Sequence, residues 1–394
     1  MSAPGDRDPA DELGPPGDLA LARGLARAGP TGPVDLDRVP VRDDLATVEP
    51  YGAPQLDVPV RLNTNETATP PPPGYLEEVG RRIQRLELNR YPDRPHRALR
   101  VALAARHGLT PERVWAANGS NEVLLQLLQA YGGPDRLVVS PRPGYSMYPE
   151  LCRTALTPHL QVDLDDDFRL TPEIGGAAVA QHDPDLVIVP SPNNPVGTPV
   201  DHDTIRALHG AGHALVVVDE AYVELGPDGA SVVGLLDELP RLVVVRTFSK
   251  AFRLAGLRLG YLLGPAWVVE DVQKVRLPYH LDTLTQVAGE VALEQEEAFL
   301  AHRTEVAAER QRLTTALAGM ADTEVFPSAA NFLLVRSPIE DLFDRLLAHG
   351  VLVRDFSDTP RLAGCVRVSI GTPDENDAFL RALEQVVADS KEQT

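Results

Sequence analysis

Thr247-Phe-Ser-Lys-Ala-Phe-Arg-Leu-Ala-Gly-Leu-Arg-Leu-Gly-Tyr261 comes one residue after the apolar run Leu242-Val-Val-Val245, with Arg246 between them, and it carries Lys250. Only three lysines occur in the 394 residues, although lysine and arginine together number 37. Arginine stays protonated, whereas a lysine amine can lose its proton and attack a carbonyl carbon. Lys250 is therefore the first candidate for covalent chemistry. Lys274 and Lys391 sit in stretches of ordinary surface character.

Outward from this stretch the pattern alternates. Short apolar runs at Leu137–Val139, Leu186–Val189, Ala214–Val218 and Leu242–Val245 are separated in most cases by amphipathic segments such as Asn121–Tyr131 and Thr204–His209. Runs of Val, Ile and Leu without polar alternation mark strands covered on both faces. Strands alternating with helices predict an α/β fold with a mostly parallel sheet. After about residue 282 the style changes. A long helical stretch, Leu284–Leu317, leads into strand-like runs Asn331–Val335, Val351–Val353 and Cys365–Ile370, and a helix over Glu375–Ala388 comes after them. The chain exceeds the ~250–300 residues at which one core stops growing, so two domains are expected. Residues 1–40, rich in Gly, Pro, Ala and Asp, read as a disordered acidic arm with at most a short helix near Leu19–Ala28. Residues 41–66 form an extended segment, 67–282 a large domain and 283–394 a smaller α+β domain.

The formal net charge of −20 argues against nucleic acid or an anionic membrane as partner. Two cysteines, Cys152 and Cys365, make no disulfide framework. No stretch approaches the ~18 apolar residues of a membrane span, and the first residues carry acids and prolines where a signal peptide needs a basic start. A cytoplasmic protein is expected. No metal site is predicted.

In open α/β sheets functional residues gather at the carboxyl ends of strands. Asn194 lies just past the Leu186 run, Asp219 ends the Ala214 run, and Lys250 comes after the Leu242 run. Asn118-Gly-Ser-Asn-Glu122 opens a helix, and its free N–H groups suit a phosphate. Taken singly, Ser-Pro-Asn-Asn-Pro is a turn and a strand-end aspartate is most often a helix cap. Together, in this order, they describe a pyridoxal phosphate site. Asp219 would hold the pyridinium proton, and Asn194 and Tyr222 would bond the ring's phenolic oxygen. Ser120, Asn121, Thr247, Ser249 and Arg258 would hold the phosphate. Tyr145 would stack on the ring.

With these motifs assembled, the chain resembles the fold-type I pyridoxal phosphate aminotransferases, and within them the histidinol-phosphate aminotransferase family. The resemblance is carried by Arg61-Leu-Asn-Thr-Asn-Glu66, Arg90-Tyr-Pro-Asp93, Ala117–Glu122, Ser191–Gly197, Val218-Asp-Glu-Ala-Tyr222, Thr247–Tyr261, Val353-Arg-Asp-Phe356 and Cys365–Gly371. It spans roughly Val58 to Leu383. It implies a large domain built on a seven-stranded type of sheet and a homodimer with shared active sites, in which Tyr91 reaches the partner's cofactor phosphate. It also implies that Arg367, assisted by Arg354, binds the substrate anion and that Asn65 is a third substrate-binding residue. The implied reaction moves an amino group between L-glutamate or 2-oxoglutarate and histidinol phosphate or imidazole acetol phosphate, in histidine biosynthesis.

One segment departs from the family. After Asn65-Glu66 the family commonly continues with Asn-Pro and an aromatic or histidine, or with an aromatic directly; this chain has Thr67-Ala-Thr69. In the family this segment helps shape the substrate pocket. Two alternatives therefore stand beside the leading reading: a paralogous aminotransferase for aromatic or specialised-metabolism substrates, and a phospho-amino-acid decarboxylase. A non-catalytic sensor on the same fold ranks last, because no basic helix-turn-helix pattern is present.

Overall fold

The computed structural model describes Val39, residues 41–50 and residues 52–392. Apart from Val39, the acidic arm and its expected short helix lie outside the described residues. The segment up to Glu49 forms a unit separate from residues 50–394, and its described part holds one 3-10 turn, Asp43–Leu45. Strand β1 (Val60–Arg61) comes next, the one strand among the described residues of the extended segment predicted over residues 41–66.

Seven runs pair into the main sheet: β2 (Val114–Ala117), β3 (Val138–Arg142), β4 (His159–Asp163), β5 (Leu186–Pro190), β6 (Leu215–Asp219), β7 (Leu242–Thr247) and β8 (Gly260–Leu263). Their spatial order is β2-β8-β7-β6-β5-β3-β4. Only β8 runs antiparallel to its neighbours. The helices of this part are α1 (Tyr75–Ile83), α2 (Arg97–His107), α3 (Ser120–Tyr131), α4 (Met147–Thr154), α5 (Pro172–His182), α6 (His202–Gly210) and α7 (Ala266–Val275). Successive strand residues point to opposite faces. Val216 and Val218 of β6 join one core with Leu99 and Leu103 of α2 and Ile205 of α6. Leu215 and Val217 join the other core with Leu124 of α3, Tyr148 of α4 and Val269 of α7. Burial on both faces is why these strands read as apolar at every position.

The predicted single helix over Leu284–Leu317 is instead three: α8 (Thr283–Glu294), α9 (Glu296–Leu300) and α10 (Arg303–Ala318). The second of the two breaks, after Leu300, has a physical cause. Phe299 is fully buried against Tyr75, edge to face at 4.9 Å, in the core of the large sheet. Arg253 then caps the turn by donating to the carbonyls of Ala298 and Phe299, groups left without partners where a helix stops. Ala288, Val291 and Ala292 of α8 share that core.

The remaining strands are β9 (Glu324–Val325), β10 (Phe332–Arg336), β11 (Val351–Leu352), β12 (Arg354–Asp355) and β13 (Cys365–Ser369). β12-β13-β10-β9 form an antiparallel sheet. Leu313 and Leu317 of α10, Leu346 of α11 (Leu342–Ala348) and Phe379 and Leu383 of α12 (Pro373–Glu392) pack with it. β1 pairs in parallel with β11 through Val60↔Val351 and Arg61↔Leu352. This pairing carries the next residues, Leu62 to Glu66, towards the ends of the large sheet's strands.

Candidate active site

Every predicted site residue except Tyr91 lines one cavity of about 170 Å³. The cavity opens at the carboxyl ends of β5, β6 and β7, as expected of a sheet whose strand order places several parallel strands side by side. β12 and β13 close it from the opposite side with Arg354 and Arg367.

At one end the first turn of α3 faces Arg258, Thr247 and Ser249. Gly119 precedes this helix at φ +86°, and no side chain caps it. Its first amides therefore remain available to an anion, with the positive end of the helix dipole behind them. Two glycines permit the approach. A Cβ on Gly260 would fall 2.2 Å from the Ser120 amide nitrogen, and one on Gly119 would fall 2.7 Å from Arg258 Nη2. The Arg258 guanidinium donates to Ser249 Oγ at 3.4 Å, and the Thr247 and Ser249 hydroxyls are 2.9 Å apart. Uncapped amides, a guanidinium and two hydroxyls suit a phosphate monoester.

Beneath the middle of the cavity lies Asp219, 5% exposed. It does not cap an α-helix. Its Oδ1 accepts from the Ala221 amide at 3.2 Å, and its Oδ2 accepts from Tyr148 Oη at 3.1 Å. Burial raises its carboxyl to about 6, against the pull of those two hydrogen bonds. A cation placed beside it would favour the carboxylate again. Sequence reasoning missed Tyr148, which stands three residues beyond Tyr145 and carries no motif signal. Tyr145 packs edge-on against Tyr148 and donates to Asn121 Oδ1 at 3.4 Å. Asn194 Nδ2 reaches Tyr222 Oη at 3.5 Å. An acid at one point of a ring and a phenol and amide at another match the pyridoxal phosphate that the sequence predicts.

Lys250 projects into this space. Its Nζ donates to the Thr64 and Asn65 carbonyls at 3.1 and 2.9 Å and lies 5.6 Å from the Tyr222 ring centre. Burial, reinforced by the charge of Arg367, lowers its amine to about 7. An ordinary lysine near 10.4 would hold roughly a thousandfold less neutral amine at pH 7. A lowered amine pKa means the reactive neutral form is gained as pH rises through that value. The rate at which cofactor-free protein couples to pyridoxal phosphate, monitored by stopped-flow absorbance, should climb between about pH 6 and 8 and then level off. A midpoint near 10 would show that the lysine is unperturbed.

Arg367 is 7% exposed and fixed in place. It donates to Asn194 Oδ1 at 2.5 Å and to the Asn63 carbonyl at 2.6 Å, and its guanidinium lies between the rings of Phe332 and Phe356 at 5.4 and 5.5 Å. Phe356 belongs to a motif and Phe332 to a strand-like run, but the sequence assigns neither a role beside Arg367, because contact with a distant arginine leaves no local pattern. Asn65 lines the cavity, but its side chain is engaged within the protein. Nδ2 donates to Tyr222 Oη at 3.1 Å, and Oδ1 accepts from Ser369 Oγ at 3.1 Å. Thr67, Ala68 and Thr69 do not line the cavity. Thr67 instead donates to the main-chain carbonyl of Lys250 at 2.8 Å. Tyr91 stands apart, 80% exposed and stacked on Tyr279 at 4.4 Å.

Comparison with known proteins agrees with this geometry. The family model described as aminotransferase class I and II matches residues 58–383. A histidinol-phosphate aminotransferase of Mycobacterium avium is 46% identical over 364 residues, 90% of each chain. One from Frankia casuarinae is 43% identical over 376 residues, 92% of this chain and 94% of the relative. The crystal structure of histidinol-phosphate aminotransferase from Sinorhizobium meliloti in complex with pyridoxal-5'-phosphate superposes with a TM-score of 0.77 at 27% identity, covering 84% of this chain and 92% of that one. The chain belongs to the class I and II aminotransferases, and within them to the histidinol-phosphate aminotransferase family.

Proposed function

We propose that the protein is a pyridoxal phosphate-dependent aminotransferase of histidine biosynthesis. It exchanges the amino group of L-glutamate with imidazole acetol phosphate, giving 2-oxoglutarate and histidinol phosphate. The observation that carries this reading is the convergence of Lys250, Asp219 and an uncapped helix terminus on one cavity, with Arg354 and Arg367 facing them.

When bound, pyridoxal phosphate supplies an electron sink that stabilises negative charge at the substrate's Cα. The residues do the rest. The α3 amides of Ser120 and Asn121, with Thr247, Ser249 and Arg258, anchor the phosphate. Asp219, held in line by Tyr148, would keep a proton on the ring nitrogen of the bound cofactor. Asn194 and Tyr222 would bond its phenolic oxygen, and Tyr145 would cover its ring face. Lys250 would be the residue that attaches the cofactor through Nζ, and the same Nζ would serve as the base that moves the substrate's Cα proton. Arg367, assisted by Arg354, receives the phosphate of one substrate and the carboxylate of the other. Asn65 supports the site through Tyr222 and Lys250.

We place the junction between the large and small domains after α9 rather than at residue 282, because α8 and α9 pack on the large sheet. We also propose a cytoplasmic homodimer with shared sites. Exposed Tyr91, Leu88 and Leu277 support a covered apolar surface, with Tyr91 serving the partner's phosphate. Among the described residues no helix is long and apolar enough to cross a membrane. Since the Thr67–Thr69 departure does not reach the cavity, it gives no ground for preferring the alternative substrates.

The test is a half-reaction without turnover. Histidinol phosphate and L-glutamate, offered separately to the loaded enzyme, should each convert the cofactor to its amine form, seen as a shift in absorbance. Arg367→Ala should weaken both by about ten- to a hundredfold, the value of a charge-assisted bidentate contact. Silence towards histidinol phosphate, with a response to phenylalanine or tyrosine, would reassign the substrate. Release of carbon dioxide from O-phosphothreonine would make the protein a decarboxylase.

A further inference from the structure

The loop assigned to the cofactor phosphate, Asn118-Gly119-Ser120, leaves the end of β2, and β2 is an edge strand of the seven-stranded sheet. An edge strand presents backbone groups with no neighbouring strand to take them. At Ala116 two imidazoles take both. The Ala116 amide donates to His96 Nε2 at 3.3 Å, and the Ala116 carbonyl accepts from His280 Nε2 at 2.9 Å. These bonds define the two rings: His96 carries its proton on Nδ1, and His280 carries one on Nε2. Burial lowers His96 to about 3 and also lowers His280, so the pair stays neutral at ordinary pH beside Arg100 and Arg276.

His280 holds the loop a second time. Its main-chain carbonyl accepts from Asn118 Nδ2 at 2.8 Å, while its ring stacks on Trp115 at 5.2 Å and 12°. From Trp115 the hydrogen bonds run back to the loop. Trp115 Nε1 donates to Gln126 Oε1 at 2.8 Å, Gln126 Nε2 to Glu122 Oε1 at 3.2 Å, and the Asn118 amide to Glu122 Oε2 at 2.6 Å. The circuit closes on His280. Trp115, His96 and Gln126 are all at most 2% exposed, so water does not compete for the bonds of Trp115 to Gln126 and of Ala116 to His96, while Asn118, Glu122 and His280 are half-buried.

We infer that His280 is a positioning residue for the phosphate loop, with His96 as its counterpart on the same strand residue. It fixes Asn118, and through Asn118 the orientation of the uncapped amides beyond it. The inference rests on the assignment of this loop to the cofactor phosphate. It adds a residue 162 positions further along the chain than Asn118, one that does not line the cavity.

The test compares two ligands that differ only in the phosphate. Cofactor-free wild type and His280→Ala are titrated with pyridoxal phosphate and with pyridoxal, and thermal melting is recorded alongside. The ratio of the two affinities reports the phosphate contacts alone. His280→Ala should lose about tenfold for pyridoxal phosphate, in keeping with one or two buried hydrogen bonds, and less than about twofold for pyridoxal. His280→Gln retains an N–H donor and should recover most of the ratio. Asn118→Ala cuts the second tie at the surface of the loop, reads the same effect if His280→Ala does not fold, and should also lower the ratio. An unchanged ratio in a folded His280→Ala, or in Asn118→Ala when His280→Ala does not fold, overturns the inference. So does an equal loss for both ligands. A wild type that binds pyridoxal as tightly as its phosphate would instead overturn the assignment of the loop itself.

Discussion

Lys250→Ala is expected to lower turnover by about 10⁴-fold or more, since one side chain supplies both the covalent attachment and the general base. The cavity wall it leaves is otherwise intact, so the variant should still bind pyridoxal phosphate through the α3 amides and Arg258. Borohydride treatment of the loaded wild type, and then peptide mass mapping, should place the pyridoxyl label on Lys250. A label on Lys274 or Lys391 would remove Lys250 from the centre of the mechanism. The same variant tests the shared site. Lys250→Ala and Tyr91→Phe chains refolded together form some heterodimers with one site carrying neither lesion, and activity should exceed that of either parent. A fully active monomer would leave Tyr91 without its assigned role.

Asp219→Asn should slow the half-reaction on the order of 10³-fold, which corresponds to about 4 kcal/mol. The carboxamide is nearly isosteric: its oxygen can accept from the Ala221 amide while its Nδ2 donates to Tyr148 Oη, whose hydroxyl can rotate to accept, so the fold and the melting temperature should change little. What it lacks is the charge that keeps a proton on the ring nitrogen. Asp219 is held at about 6 by burial, which means the free carboxyl alone is only weakly committed to its ionised form near neutral pH. The pyridinium of a bound cofactor would complete the pair. Tyr148→Phe removes one of the two bonds that lower this carboxyl, and its effect should be smaller and of the same sign. Near-normal turnover in Asp219→Asn would reduce the residue to a support for the turn at Ala221.

What the sequence by itself determined here was the set of groups whose identity is dictated by chemistry and whose position is dictated by the end of a strand. Asn194, Asp219 and Lys250 each come after a run of Val, Leu and Ile that could only be a buried strand, and parallel neighbours bring such ends to one side. Gly119 and the residues after it were legible because an anion at a helix terminus needs little more than free amides and room. For the contacts that support these groups, local pattern carried no information. Tyr148 under Asp219, Phe332 and Phe356 flanking Arg367, and the His96–His280 clasp are contacts between residues far apart in sequence or on different elements. Each is an ordinary aromatic residue or histidine until packing gives it a neighbour. The break after Leu300 was hidden for the same reason: the helical period continues, but burial of Phe299 and the guanidinium of Arg253 decide where the helix stops. Thr67 shows the limit from the other side. The motif places it near the active site, and only the fold shows that its hydroxyl faces the Lys250 carbonyl rather than the cavity. Tertiary structure decided these points because a side chain's orientation depends on what it is packed against, and the sequence does not state that.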